Sequence, residues 1–399
     1  MGVQRLQTYI QQHDIGRCIS LKEVGQKGYK IIVDGDSVSF YLHETANLPT
    51  IFGGEYYDFF RYVDQFFSRL ITAGIQLLVV YDGIPPEEKR GTIQERRRTK
   101  CQHSVALWDT MDSSTPHDAI VPITRPGLIR NVMLEVLRKY NITVIHSECE
   151  NDDLIVSIAH DEDFDAVLAK DTDFLIYNVK GYIPINHLQD NLNARIISRN
   201  DICRHFKLQA KTLPLFAYLA GNDVTHGSYN VTTIIQKLHH QMQPNILFNL
   251  SRFLHHKLDK VMNMVMQDVD LLEGMLTCYK KYQGLLSKKY TLTLEPLFYA
   301  AYKNSTLETE VAILLERHVR CFTGSFSGFH LCIPAKLANW RRNIYGTVLR
   351  SRITEYYWTI VQYGTRKEPK WKKYEIMPNI DFAEYPKSIE TMLACLEIK

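Results

Sequence analysis

Several things are scarce in this 399-residue chain, and each scarcity closes off a class of protein. No apolar run approaches the about 18 residues that a membrane-spanning helix needs, so no membrane partner is expected. The eight cysteines form no C-x-x-C pair and no Cys/His cluster at zinc spacing. That argues for reduced thiols inside a cell, with neither a disulfide framework nor a structural zinc. Net charge is only +3, too little for a surface basic all over, so any nucleic-acid footprint must be local. Low-complexity tracts and internal repeats are missing as well. What remains is 45% hydrophobic and 23% charged, ordinary for a globular protein and long enough for two domains.

Four short apolar runs stand out: Tyr29–Val33, Leu77–Tyr81, Ile142–Ile145 and Ala166–Ala169. They do not alternate with polar residues, which suggests strands buried on both faces, as in a parallel sheet. Between them, residues 57–71, 128–140 and 152–159 repeat apolar side chains at three- and four-residue steps and read as helices. Strand and helix in alternation predict an α/β fold with a mostly parallel sheet flanked by helices. After about residue 230 the strand runs thin out and long mixed segments such as 246–275 and 307–319 dominate. The expectation is two domains, 1–229 and a mainly helical 230–399. Residues 109–120 form the clearest polar loop.

Seven carboxylates punctuate these elements: Asp34 after I-I-V, Asp82 after L-L-V-V-Y, Glu148 and Glu150 in S-E-C-E, Asp171 and Asp173 in K-D-T-D, and Asp223 in L-A-G-N-D. Each alone has an ordinary reading. Asp34 can cap the next helix, Asp82-Gly83 is a normal turn, and solvated acids at a helix start resemble S-E-C-E. Together they fall where a parallel sheet collects ligands, at the carboxyl ends of its strands. Crowded carboxylates repel one another and resist ionising. Divalent cations relieve this, and oxygen-only ligands select Mg²⁺ or Mn²⁺. Two such ions about 4 Å apart suit in-line attack on phosphodiesters, so the chain reads as a metal-dependent phosphodiesterase.

The motifs resemble those of the flap-endonuclease (XPG-type, PIN-like) superfamily of structure-specific nucleases, and most of all its asteroid-like branch. The resemblance rests on M-G-V-Q-R-L, I-I-V-D-G-D-S-V-S-F-Y, Y-D-G-I-P-P-E-E-K-R-G-T-I-Q-E-R-R-R, S-E-C-E, K-D-T-D and A-G-N-D, with F-G-G-E-Y-Y-D-F-F pointing to the asteroid branch. It covers about residues 1–225 and implies a PIN-like nuclease domain over 1–229. It further implies that Glu148, Glu150, Asp171 and Asp173 hold the catalytic ions, with Asp34, Asp82 and Asp223 completing the shell. Lys89 and Arg96 would face the scissile phosphate, Phe40 would stack on a base, and Gly2 would lie near the site. Arg97 and Lys100 join the expected nucleic-acid contacts. The helix–turn–helix that such nucleases place after the last acid is replaced here by V-T-H-G-S-Y-N-V-T-T, and few basic residues lie between Arg98 and Pro126.

The function expected from this resemblance is hydrolysis of DNA, with RNA as a second candidate substrate, at flaps, overhangs or other single-stranded or branched features, by a monomer carrying two Mg²⁺ or Mn²⁺ ions. The alternative is a non-catalytic PIN-like scaffold binding RNA or protein. Arg96-Arg97-Arg98-Thr99-Lys100 also resembles a nuclear-import cluster, which makes the nucleus the expected compartment. Asp36 could join the site but reads first as a cap or a solvent-facing acid, and His160-Asp161-Glu162-Asp163 could be drawn as a metal cluster but reads first as a solvated turn. Three basic-aromatic stretches, Tyr279-Lys280-Lys281-Tyr282, Trp340-Arg341-Arg342 and 370–374, suit either nucleic-acid contact or amphipathic surfaces.

Overall fold

The computed structural model describes residues 2–48, 55–85, 127–225 apart from 149, 235–283 apart from 237, 294 and 296–304, single positions at 95, 98 and 99, and the backbone of three strands beyond them. The chain forms two compact units. One takes Met1–Ala46, Phe60–Gly83 and Arg130–Thr291, and so runs on past residue 229. The other takes Asn47–Phe59, Ile84–Ile129 and Leu292–Lys399.

The elements of the first unit follow the apolar runs. Helix α1 (Leu6–His13) leads to β1 (Arg17–Ser20), α2 (Leu21–Gly25), β2 (Lys30–Asp34) and α3 (Gly35–Thr45). Then come α4 (Tyr56–Thr72), β3 (Gln76–Tyr81), α5 (Ile129–Lys139), β4 (Thr143–His146), α6 (Asp152–Asp161) and β5 (Ala166–Ala169). Strands β6 (Tyr182–Pro184) and β7 (Asn193–Ile196) precede α7 (Arg199–Phe206), α8 (Leu213–Ala220), α9 (Ile246–Met266) and α10 (Val269–Tyr282).

Five strands form one sheet in the order β4-β3-β2-β5-β6, and all four pairings are parallel. Ile31, Ile32 and Val33 of β2 are fully buried, as are Val79 and Val80 of β3 and Val167, Leu168 and Ala169 of β5. A strand covered on both faces needs no polar alternation, which is why these segments read as continuous apolar runs. Because every strand points the same way, the carboxyl ends of β2, β3, β4 and β5 share one edge of the sheet. Strands β1 and β7 make a separate antiparallel pair, Arg17–Ser20 against Asn193–Ile196. Their R-C-I-S and N-A-R-I sequences carry no apolar run.

Helix α4 buries Val63, Phe67 and Leu70, a stripe at helical spacing. Helix α8 is apolar all round and buried at every position, so it acts as a central post. Helices α9 and α10 pack on it, α10 through Leu271, Met275, Cys278 and Tyr282. Among the described residues no helix is long and apolar enough to cross a membrane.

In the second unit, α11 (Pro296–Lys303) continues the helical character expected after residue 230. A three-stranded sheet follows, which that expectation lacked. Strand β9 (Ile353–Tyr363) lies between β8 (Val319–Phe322), parallel to it, and β10 (Arg366–Ile376), antiparallel to it. The polar stretch 109–120 lies outside the described residues.

Candidate active site

Asp34 ends β2 and caps α3, where its Oδ1 accepts the Ser37 backbone N–H at 3.2 Å. Asp82 follows β3 directly. Asn151, at the start of α6, ties the two together: its side-chain amide donates to Asp34 Oδ1 at 3.1 Å and its backbone N–H to Asp82 Oδ1 at 2.9 Å. Asn151 is buried, so this bridge fixes the spacing between the ends of β2 and β3. Asp36 is neither a cap nor a solvent-facing acid. It forms a forked ion pair with Arg130 at 2.6 and 2.7 Å, and its Oδ2 accepts the Asp82 backbone N–H at 2.9 Å. Arg130 in turn lies over the Tyr81 ring at 5.0 Å.

The segment bearing Glu148 and Glu150 is pressed against the Asp82 turn. Ser147 N–H donates to the Tyr81 carbonyl at 3.0 Å, and a Cβ on Gly83 would meet the Ser147 carbonyl oxygen at 2.0 Å. Only glycine permits that approach. Glu148 and Glu150 are both half-buried.

Asp171 and Asp173 follow β5, with Asp171 capping a short 3₁₀ turn by accepting the Asp173 N–H at 2.9 Å. Asp152 joins them. Carboxylate oxygens of Asp152, Asp171 and Asp173 lie within 4.8 Å of one another, the one such acidic group among the described residues. Sequence reasoning missed Asp152, although it continues the every-second-residue spacing of Glu148 and Glu150. Gly2 packs against this triad. Its φ is +65°, and a Cβ there would lie 2.2 Å from Asp171 Oδ1. Val3 N–H donates to Thr172 Oγ1 at 2.9 Å, pinning the segment.

Helix α10 contributes what the motifs did not announce. Lys281 Nζ donates to Asp173 Oδ2 at 2.5 Å and lies 3.9 Å from Asp152 Oδ2. Tyr282 Oη donates to Asp173 Oδ1 at 2.7 Å and accepts from the Asn222 amide at 3.2 Å. The stretch Tyr279-Lys280-Lys281-Tyr282, open between a nucleic-acid contact and an amphipathic surface, is only partly surface, with Lys280 exposed. Lys281 and Tyr282 face inward, and the Tyr279 hydroxyl donates to the Lys211 carbonyl. In the A-G-N-D motif it is Asn222 that is buried and linked to the cluster; Asp223 is half-buried and stands outside the triad.

Burial dominates the electrostatics. It pushes the Asp34 carboxyl up to about 6, helped by Asp36, against hydrogen bonds from Ser37 and Asn151. Burial also pushes Asp82 up to about 8, reinforced by Asp36, Asp34 and Glu150. Asp152 is raised well above the usual range by burial, with Lys281 opposing and Asp171, Asp173 and Asp82 adding to it. Asp171 is raised by burial and by Asp173. Burial works against charge on Lys281, but Asp173, Asp152 and Asp171 outweigh it and hold the ammonium well above its ordinary value. Carboxyl groups that burial and mutual repulsion make reluctant to ionise, with oxygen-only donors, fit a hard divalent cation.

Lys89, Arg96, Arg97 and Lys100 lie outside the described residues, as does Trp340-Arg341-Arg342. Phe40 is half-buried on α3. The His160–Asp163 run is exposed at the end of α6.

No family model matches the chain. Over 240 residues, 56% of this chain, it is 31% identical to the human protein named single-strand DNA endonuclease ASTE1, of which the match takes up 33%. It is 32% identical over 186 residues to protein asteroid of Drosophila melanogaster, covering 46% of this chain and 20% of that one. The chain thus spans about a third or less of the length of these curated relatives. Both bear out the asteroid-like resemblance carried by the motifs. Among solved structures, flap endonuclease-1 from Methanococcus jannaschii superposes with a TM-score of 0.48 at 15% identity, covering 78% of this chain and 95% of that one.

Proposed function

We propose that this chain, asteroid-like in its N-terminal part, is a divalent-metal-dependent nuclease that hydrolyses phosphodiester bonds of DNA with single-stranded or branched features. The observation that carries the reading is the Asn151 bridge. It holds two mutually repelling carboxyl groups, the buried Asp34 and the half-buried Asp82, at one spot instead of letting them part. A protein that spends burial on such a pair gains nothing in stability from it. The name of the human relative, a single-strand DNA endonuclease, supports the choice of substrate class.

Asp34, Asp82, Glu150 and Asp171 are the residues to hold Mg²⁺ or Mn²⁺, with Glu148, Asp173 and Asp223 around them. The ion supplies Lewis acidity to the phosphoryl oxygen and a water of lowered pKa. Asn151 and the Arg130–Asp36 pair keep Asp82 aligned, since Asp36 grips its backbone N–H. Lys89 and Arg96 stabilise charge developing on the phosphate. We place the protein in the nucleus on the Arg96–Lys100 cluster.

A second reading, a PIN-like scaffold without catalysis, has one observation in its favour: Asp173 already has both oxygens engaged by Lys281 and Tyr282. End-labelled single-stranded, hairpin and 5′-flap DNA, incubated with Mn²⁺ and either the wild-type chain or Asp82→Asn, separates the two. Cleavage that disappears in the variant supports the nuclease. Equal cleavage by both would overturn it, and DNA bound but never cut favours the scaffold.

A further inference from the structure

We propose that the Lys281 ammonium stands where a second metal ion would sit, so that this active site takes one divalent cation rather than two. The inference rests on the metal-dependent nuclease reading above and concerns its stoichiometry.

Three observations converge on it. First, Lys281 lies inside the acidic triad, 2.5 Å from Asp173 and 3.9 Å from Asp152. A cation in that place meets the charge of the cluster as a metal would, and a divalent ion a few ångströms away would be strongly repelled by it. Second, both oxygens of Asp173 already accept protein hydrogen bonds, from Lys281 and from Tyr282, and the residue is fully buried. A metal ion binding Asp173 would have to share both oxygens with these donors, one of them already a cation.

Third, the donors are built in. Tyr282 lies on the face of α10 that packs on α8, together with Leu271, Met275 and Cys278. Its hydroxyl is oriented by the Asn222 amide, which also donates to Cys278 Sγ at 3.2 Å. Asn222 is itself fixed, because its Oδ1 accepts the Val224 and Thr225 backbone N–H groups. Lys281 is therefore not a surface side chain that has folded onto an acid. The other buried cation near the site, Arg130, is committed to Asp36. Asp34 and Asp82 receive hydrogen bonds from Ser37 and Asn151 and, with Glu150 and Asp171 beside them, make a ligand set suited to a single ion.

The test counts ions on the full chain without DNA, following the free Mn²⁺ resonance by electron paramagnetic resonance as protein is added. One tightly bound Mn²⁺ is expected for the wild type, and a twofold rise to two for Lys281→Met, which removes the charge while keeping the aliphatic stem. Two ions on the wild type would overturn the inference and leave the nuclease reading intact. One ion on both proteins would also overturn it, because Lys281 would then not be what excludes the second. No ion on either would overturn both. Should Lys281→Met fail to fold, the wild-type count decides alone, and the paired change Lys281→Met/Asp173→Asn, which leaves no unpaired buried charge, is expected to bind one ion.

Discussion

Two halves of one acidic site are built from the same residue types at the same edge of one sheet, yet they are neutralised differently. On the β2–β3 side, Asp34 and Asp82 receive hydrogen bonds from Ser37 and Asn151 while the nearby Arg130 pairs with Asp36, and their carboxyl groups rise to about 6 and about 8. On the β5 side, Asp171, Asp173 and Asp152 face Lys281. Hydrogen bonds orient a carboxylate; they do not cancel its charge when a second acid lies alongside. The first half is thus incomplete as a protein structure and the second nearly complete. An external ion has most to offer at the first.

Breaking each half separately sharpens the contrast. The largest effect is expected from Asp82→Asn, which removes an ion ligand while keeping the hydrogen-bond acceptor for Asn151. Metal-dependent cleavage should fall by at least about 100-fold in a gel assay, with the melting temperature unchanged or raised. Lys281→Met should do the reverse. It leaves Asp173 buried and unpaired, at a cost of about 3–5 kcal/mol in the metal-free protein. Added Mn²⁺ should recover much of that in thermal melts. A Lys281→Met protein that melts like the wild type without metal would show that the β5 side was never dependent on its lysine.

A smaller effect concerns pH. Asp34 and Asp82 bind protons more tightly in the fold than at the 3.8 of a free carboxyl. These two groups therefore hold more protons in the folded chain than in the unfolded one between about 4 and about 8, and their contribution to stability falls as pH rises through that window, opposed by His187, His205 and His239, which burial makes harder to protonate. Melting temperatures of the metal-free protein should decline across it, and saturating Mg²⁺ should flatten the slope at its upper end. A slope that persists unchanged in Asp82→Asn would assign it elsewhere. Smaller again is Gly2→Ala. The left-handed backbone and the contact with Asp171 predict about 1–3 kcal/mol of local strain, seen as reduced cleavage more than as reduced melting temperature. Lys180→Gln, which breaks the exposed pair with Asp163, should change neither quantity.

How much of this was legible in the sequence follows from the physics of each part. The strands that carry Asp34, Asp82 and Asp171 were readable because strands buried on both faces leave apolar runs, and an acid at the end of such a run breaks the pattern. Strands β1 and β7 left no such trace, since each is four residues long, β1 with none of them buried and β7 with only Ala194 and Ile196. The partnership of Asn151 with Asp34 and Asp82 joins residues 117 and 69 positions apart, which no local pattern encodes. Asp152 was hidden by its role as the first residue of α6, where an acid is ordinary. Lys281 was read as surface because lysine beside tyrosine on a helix nearly always is. Only the docking of α10 on α8 turns it inward.

That docking has a consequence for how the protein comes to exist on the ribosome. Every acid of the site is made before its lysine, which emerges 108 residues after Asp173. A nascent chain that has just completed Asp223 holds the whole set of acids with no lysine yet on the β5 side. Until α10 arrives only an ion from solution can relieve that repulsion, so synthesis itself sets the order in which the two kinds of cation can reach the site. A chain cut at residue 229 would keep every motif by which its kind is identified and be frozen in that unfinished moment.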